Sequence, residues 1–256
     1  MLLKNKITLI TGASSGIGRA CAEVFAEAGS RLILLARRSE NLNQLAIELN
    51  DKYATETFIL SCDVRRRKDV SKALNLPDNW RPVDILINNA GLARGIEKIQ
   101  EGKPENWDEM IDTNIKGLLN VTNSILPEMA ARKNGIIINI ASIAGTEAYI
   151  GGNVYCATKA AVKMLTKGMH VDLVGTGVRV TNIDPGLVET EFAKVRFHGD
   201  EARAAQVYLG YKPLEGRDVA EAALFCATRP KHVTIQDLMV TPTAQATTWL
   251  VEKNSE

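Results

Sequence analysis

Seven short β-rich runs alternating with stretches of helical periodicity constrain this chain more than any other feature. The runs fall at 7–11, 31–36, 57–62, 84–88, 135–141, 178–183 and 238–241, and the helical stretches at 19–28, 39–50, 108–131, 154–174 and 217–228. Strand and helix in strict alternation predict a parallel sheet with helices on both faces, a doubly wound α/β fold. The rhythm runs through without a linker, so residues 1–256 are read as a single domain. It is broken once, at 189–213, where charged and aromatic residues mix between the sixth and seventh strands. An insertion at the carboxyl edge of such a sheet is the expected place for a substrate lid.

Composition narrows the class. A hydrophobic content of 45% supplies a sizeable core, and a net charge of +1 gives no bulk attraction to nucleic acid or to a membrane. The one dense basic run, Arg65-Arg66-Arg67-Lys68, is flanked by Asp63 and Asp69 and reads as a solvated helix start. Four cysteines and three histidines are scattered without metal-ligand spacing, so no metal is expected and the thiols are expected to be reduced. The amino terminus lacks the apolar core of a signal peptide, and no apolar stretch approaches the ~18 residues of a membrane span. The expectation is a cytoplasmic enzyme or binding protein.

Two local patterns carry chemistry. Thr11-Gly-Ala-Ser-Ser-Gly-Ile-Gly18 follows the first strand and opens the first helix, where glycines permit a tight turn and the free helix amides face a pyrophosphate. Its spacing is Gly-x-x-x-Gly-x-Gly. Further on, Tyr155 and Lys159 stand at i and i+4 on one helix face, and the lysine charge is expected to lower the tyrosine pKa toward the working range. Ser142 ends the fifth strand at the carboxyl edge, ready to donate to a substrate oxygen.

Taken with Asn88-Asn-Ala-Gly91, Asn114 and Asp184-Pro-Gly186, these motifs resemble the short-chain dehydrogenase/reductase family along nearly the whole chain. The resemblance implies a single-domain Rossmann-type fold, a nicotinamide cofactor, and hydride transfer between it and a carbonyl or alcohol carbon. It implies that the substrate oxygen meets Ser142 and Tyr155, that Lys159 anchors the nicotinamide ribose, and that Asn114 holds a water joining Lys159 to solvent. Gly12, Ser14, Ser15, Gly16, Ile17 and Gly18 would form the phosphate loop. Asp63 and Val64 would meet the adenine, with a helix N-cap as the other reading of Asp63. Asn89, Ala90 and Gly91 would let the backbone pass the adenosine ribose, and Pro185, Gly186, Val188 and Thr190 would receive the carboxamide.

The second strand ends in Ala36, where a carboxylate would select NAD, and is followed by Arg37 and Arg38. Two guanidinium forks suit the 2′-phosphate of NADP(H), with Ser14 and Ser15 as further donors. Cys156, beside the tyrosine, is read as packing. Further segments, among them Thr190-Glu-Phe-x-x-Val-Arg-Phe and Val240-Thr-Pro-Thr-x-Gln245, are similar to the YdfG-type subgroup. That similarity implies oxidation of L-serine, L-allo-threonine and 3-hydroxypropionate, the last to malonic semialdehyde. A small hydroxy acid needs a cation for its carboxylate: Arg196 is the first candidate and Arg94 the second. A broad carbonyl or 3-oxoacyl reductase and a non-catalytic NADP-binding sensor remain as alternatives. A homotetramer is implied by the family alone.

Overall fold

Val-, Ile- and Leu-rich segments buried on both faces form the centre of a parallel sheet, because each strand is covered by a helix above and below. The computed structural model describes residues 1–253. Its elements run β1 (Ile7–Thr11), α1 (Gly16–Glu27), β2 (Arg31–Ala36), α2 (Ser39–Tyr53), β3 (Thr57–Ser61), α3 (Arg67–Ala73), β4 (Ile85–Asn88), α4 (Pro104–Ile111) and α5 (Leu118–Ala131). They continue as β5 (Gly135–Ile140), α6 (Asn153–Asp172), β6 (Val178–Pro185), β7 (Val188–Glu189), α7 (Phe192–Arg196), α8 (Glu201–Gln206), β8 (Leu214–Glu215), α9 (Gly216–Ala227) and β9 (Asp237–Val240).

Seven strands pair in the order β3-β2-β1-β4-β5-β6-β9, all parallel. The α/β, doubly wound architecture is therefore that of the Rossmann type. Side chains alternate between two cores with the period of two that strands impose. Ile10, Leu32 and Leu34 pack with Phe25, Leu45 and Val219 on one face, and Leu9, Ile33 and Leu35 pack with Leu86, Val121 and Ile137 on the other. Chain order reverses between β1 and β4, which opens a crevice at the carboxyl ends of those strands.

Two expectations from sequence are corrected. The helix expected at 108–131 starts earlier, with Pro104 in its first turn, and is interrupted by a π-helical turn at Asp112–Gly117. Proline at that position has no amide to waste and a preset φ. The irregular stretch at 189–213 contains the short helices α7 and α8, and its ends are fastened by parallel pairing of Val188 with Leu214 and Glu189 with Glu215. Among the described residues no helix is long and apolar enough to cross a membrane, and no group of three or more His, Cys, Asp or Glu is placed to hold a metal.

A buried polar ladder ties the sheet to the helix that carries Tyr155. Asn88 Nδ2 donates to Thr122 Oγ1 of α5 at 3.0 Å and to Asn139 Oδ1 of β5 at 2.9 Å, and Asn139 Nδ2 donates to Thr166 Oγ1 of α6 at 2.8 Å. Asn139 is fully buried, so its removal strands donors and acceptors that water does not reach. Asn139→Ala is expected to lower unfolding free energy by about 2–4 kcal/mol, seen as a lower urea midpoint at unchanged slope. A loss below about 0.5 kcal/mol, the level of an ordinary surface substitution, would remove the ladder from the account of how α6 is placed.

Candidate active site

The ends of β1 and β4 are laced together before any functional group is placed. Thr11 Oγ1 accepts the amides of Asn89 and Ala90, each at 3.0 Å, and Asn89 Nδ2 donates to the Thr11 carbonyl at 3.0 Å. Gly12 turns the chain away with φ +67°, and a Cβ there would stand 3.0 Å from Ala90 Cα. A Cβ on Gly18 would stand 2.3 Å from the Gly12 carbonyl oxygen. Only glycine lets this turn lie against the first helix. Ser15 precedes α1 in extended conformation and its side chain makes no capping bond, so the first-turn amides are left for an anion.

One cleft of about 470 Å³ runs along the carboxyl edge. It is lined by every residue expected at the site except Gly18, Asn114 and Arg94. Gly18 lies behind the loop it shapes. At the far end, Arg38 donates to Ser14 Oγ at 3.2 Å, to Ser15 Oγ at 2.7 Å and to the Glu191 carboxylate at 3.0 Å. A guanidinium and two hydroxyls thus converge beside Arg37, with a carboxylate already seated on the guanidinium as a stand-in for an oxyanion. With the free amides of α1, these groups fit a phosphorylated dinucleotide. The Asp63 carboxylate reaches the cleft wall but is engaged by Arg65, through its amide at 3.0 Å and its guanidinium at 2.6 Å. Burial raises the Asp63 pKa, and the Arg65 hydrogen bonds outweigh it and hold the group below its ordinary value. It caps a tight turn and is not the N-cap of α3, which begins four residues later.

Ser142 sits just past β5 in extended conformation, its Oγ accepting the Ala144 amide at 3.1 Å and lying 3.4 Å from the Pro185 carbonyl. Tyr155 and Lys159 project from α6 as the i, i+4 spacing requires, with Lys159 Nζ 5.9 Å from the Tyr155 ring centroid and donating to the Ile140 carbonyl at 2.9 Å. The expected sign of the tyrosine shift is corrected. Burial, with Tyr149 beside it, raises the Tyr155 phenol above its ordinary range despite the opposing pull of Ser142 and Arg196. The lysine moves instead: burial lowers it to about 8, against the charge of Asp184.

Asn114 lies beneath this pair, 2% exposed, and its amide is bonded at both ends. Oδ1 accepts the Leu92 amide at 2.9 Å, and Nδ2 donates at 2.9 Å both to the Leu92 carbonyl and to Thr158 Oγ1. The side chain therefore braces the β4 loop against α6.

Of the two candidate cations, the structure brings one to the cleft. Arg196 donates from Nε to the Gly95 carbonyl at 2.9 Å and from Nη1 to Tyr149 Oη at 2.7 Å, while its buried Nη2 has no partner among the described residues. Its guanidinium carbon is 5.8 Å from the Tyr155 ring centroid. Arg94 is corrected: its three nitrogens are engaged by Glu109 and the Val195 carbonyl, away from the cleft wall. Sequence reasoning missed Tyr149, Tyr208 and Thr248, and gave no role to Phe192 of the Thr190-Glu-Phe segment; all four line the cleft. Phe192 lies 5.6 Å from Tyr155, centroid to centroid, and the buried Thr248 hydroxyl has no partner among the described residues. No short motif marks Tyr149, Tyr208 or Thr248. Gln245, seen only as part of a terminal pattern, accepts the Leu187 amide at 2.8 Å and so fixes the loop after β6.

Comparison with known proteins agrees with this geometry. A family model described as short chain dehydrogenase matches residues 6–201. A protein of Escherichia coli K12 named NADP-dependent 3-hydroxy acid dehydrogenase YdfG is 45% identical over 242 residues, covering 94% of this chain and 96% of that one. A Chromohalobacter salexigens protein named sulfoacetaldehyde reductase 2 is 47% identical over 242 residues, covering 94% and 95%. The closed form of serine dehydrogenase complexed with NADP+ superimposes with a TM-score of 0.90 at 43% identity, covering 97% of this chain and all of the other. A family model over most of the chain and relatives of this identity and coverage show that the chain belongs to the short chain dehydrogenase family.

Proposed function

We propose that this chain is an NADP-dependent dehydrogenase of small 3-hydroxy acids, acting on L-serine, L-allo-threonine and 3-hydroxypropionate, or on malonic semialdehyde in reverse. The observation that carries the reading is Arg196, a guanidinium beside Tyr155 with one buried nitrogen unpaired. A donor in that state awaits an acceptor, and a carboxylate satisfies it with a charge-assisted hydrogen bond. The names of the relatives support the hydroxy acid class. One relative is named for a sulfoacetaldehyde, and a sulfonate is a second small anion that the same guanidinium would take.

Arg38, Arg37, Ser14 and Ser15 would hold the 2′-phosphate, the α1 amides the pyrophosphate, and Val188 and Thr190 the carboxamide. Bound NADP(H) accepts or supplies the hydride. The chain's own residues handle the proton. Ser142 orients the substrate oxygen, and Tyr155 exchanges a proton with it. A phenol held above its ordinary pKa stays protonated, which suits it to donate in reduction. In oxidation it needs an acceptor for the proton it receives, and Lys159 is the group nearby that loses its own within the working range. Asn114 would hold the water that carries the proton from Lys159 out to solvent. The stretch at 189–213 acts as the substrate lid. The four free, buried cysteines suit the cytoplasm. Leu119, Met164 and Val171 leave apolar side chains exposed on α5 and α6, which supports a homotetramer paired through those helices.

Four outcomes follow for purified enzyme. NADPH should form with each of the three hydroxy acids, and Tyr155→Phe should lower kcat by about 10²–10⁴-fold while NADPH affinity is kept. No turnover of any hydroxy acid, with sulfoacetaldehyde or a 3-oxoacyl thioester reduced instead, would replace the substrate reading. Arg196→Ala should raise KM for L-serine about 10- to 100-fold, the loss expected for a charged hydrogen bond. Because the Lys159 pKa lies near 8, oxidation should rise and reduction should fall through that pH, and Lys159→Met should abolish the inflection. Ala36→Asp combined with Arg37→Ala should shift the kcat/KM ratio toward NAD; an unchanged ratio would defeat the 2′-phosphate assignment.

A further inference from the structure

Arg94 turns away from the cleft and closes a set of contacts that the proposed chemistry does not use. Its Nε donates to Glu109 Oε2 at 2.6 Å and its Nη2 to Oε1 at 3.2 Å, a two-pronged pair joining the loop after β4 to α4. Its Nη1 donates to the carbonyl of Val195, in the last turn of α7. The next residue repeats the grip, with the Gly95 amide donating to the Arg196 carbonyl at 3.0 Å and Arg196 Nε returning to the Gly95 carbonyl at 2.9 Å. The ion pair is shielded, at 17% and 22% side-chain exposure, where salt screens it less than on an open surface. Glu109 is kept charged: the Arg94 hydrogen bond lowers its pKa against burial, and Arg65 at 3.6 Å adds to the effect. Helix α7 has five residues, too few to hold its own shape or direction. Its pose is set from outside.

We propose that Arg94, backed by Glu109, is a positioning residue for the substrate: by gripping the end of α7 it fixes the reach of the Arg196 guanidinium over Tyr155. The inference rests on the reading of Arg196 as the carboxylate-binding group. Placement by about 1 Å in such a clamp changes rates on the order of a hundredfold, so a residue that never touches substrate sets selectivity.

The test uses the full chain with saturating NADP, in wild type, Arg94→Met, Arg94→Lys and Glu109→Gln. Methionine keeps the apolar stem and removes the fork; lysine keeps the charge as a single point. The expected result for Arg94→Met is a KM for L-serine raised about 5- to 20-fold with kcat changed less than about threefold, NADPH affinity unchanged, and amide hydrogen exchange across 191–198 faster by about tenfold or more. Arg94→Lys should recover part of both effects, and Glu109→Gln should show smaller ones that do not add to those of Arg94→Met. Unchanged exchange, or faster exchange with unchanged KM, overturns the proposal. Should Arg94→Met fail to fold, Arg94→Lys and Glu109→Gln decide by the same two readouts. A wild type that oxidises no 3-hydroxy acid would defeat the substrate reading separately, and exchange across 191–198 would then decide whether Arg94 holds α7.

Discussion

A lysine ammonium held largely out of water, at the wall of the cleft, is the constraint on which the site depends. Lys159 is 6% exposed, and its Nζ has the Ile140 carbonyl as a fixed acceptor. Burial disfavours the charged form, and the buried carboxylate of Asp184 favours it; burial wins, leaving the group near 8. That balance survives only if α6 keeps its place on the sheet. The Asn88–Asn139–Thr166 ladder holds its middle, and Thr158 bonds Asn114 nearer the tyrosine. One turn beyond Lys159, Lys163 pairs with Asp184 and with Asp237, so positions 155, 159 and 163 carry one helix face from the phenol to a structural ion pair.

Hydrogen-bond accounting separates the groups that build the site from those left for a ligand. Asn114 uses both N–H groups of its amide within the protein, and its oxygen accepts the Leu92 amide. Asp63 and Arg94 are likewise engaged by neighbouring charges. Arg196 Nη2 and Thr248 Oγ1 are buried in the cleft without partners among the described residues. Leaving a buried polar group unpaired costs about 1–3 kcal/mol, so a fold keeps such groups where something else completes them. Residue identity does not make this distinction: two arginines of one sequence fall on opposite sides of it.

How much was legible in the sequence follows from the range of the interactions. The strands could be read because fully covered parallel strands are apolar throughout, and the Tyr155–Lys159 pair because an i, i+4 spacing places side chains locally. The glycine turn could be read because its backbone demands are local too. The sign of the Tyr155 shift could not, since it depends on burial against groups such as Phe192, which comes from a distant part of the chain. Nor could the role of Arg94, whose partners lie 15 and 101 residues away in sequence. The π turn was hidden for a different reason: one inserted residue in a continuous apolar pattern leaves the helical periodicity nearly intact.

The architecture also divides reaction from selectivity. Ser142, Tyr155 and Lys159 stand at the end of β5 and on a helix pinned to it, so their mutual geometry is fixed by the sheet. Arg196 and Phe192 come from the short helix α7, Tyr149 from a loop, and Thr248 from the tail after β9. These segments bury less and are held by a few contacts, so they move and diverge at lower cost than a strand end does. Relatives of 45% and 47% identity are named for a hydroxy acid and for a sulfoacetaldehyde, two anions of similar reach and different shape. On the proposed reading both need the same proton chemistry and differ only in how a guanidinium meets the anion. The pose of α7 is then the variable that matters, and an ion pair outside the cleft is an economical place to set it.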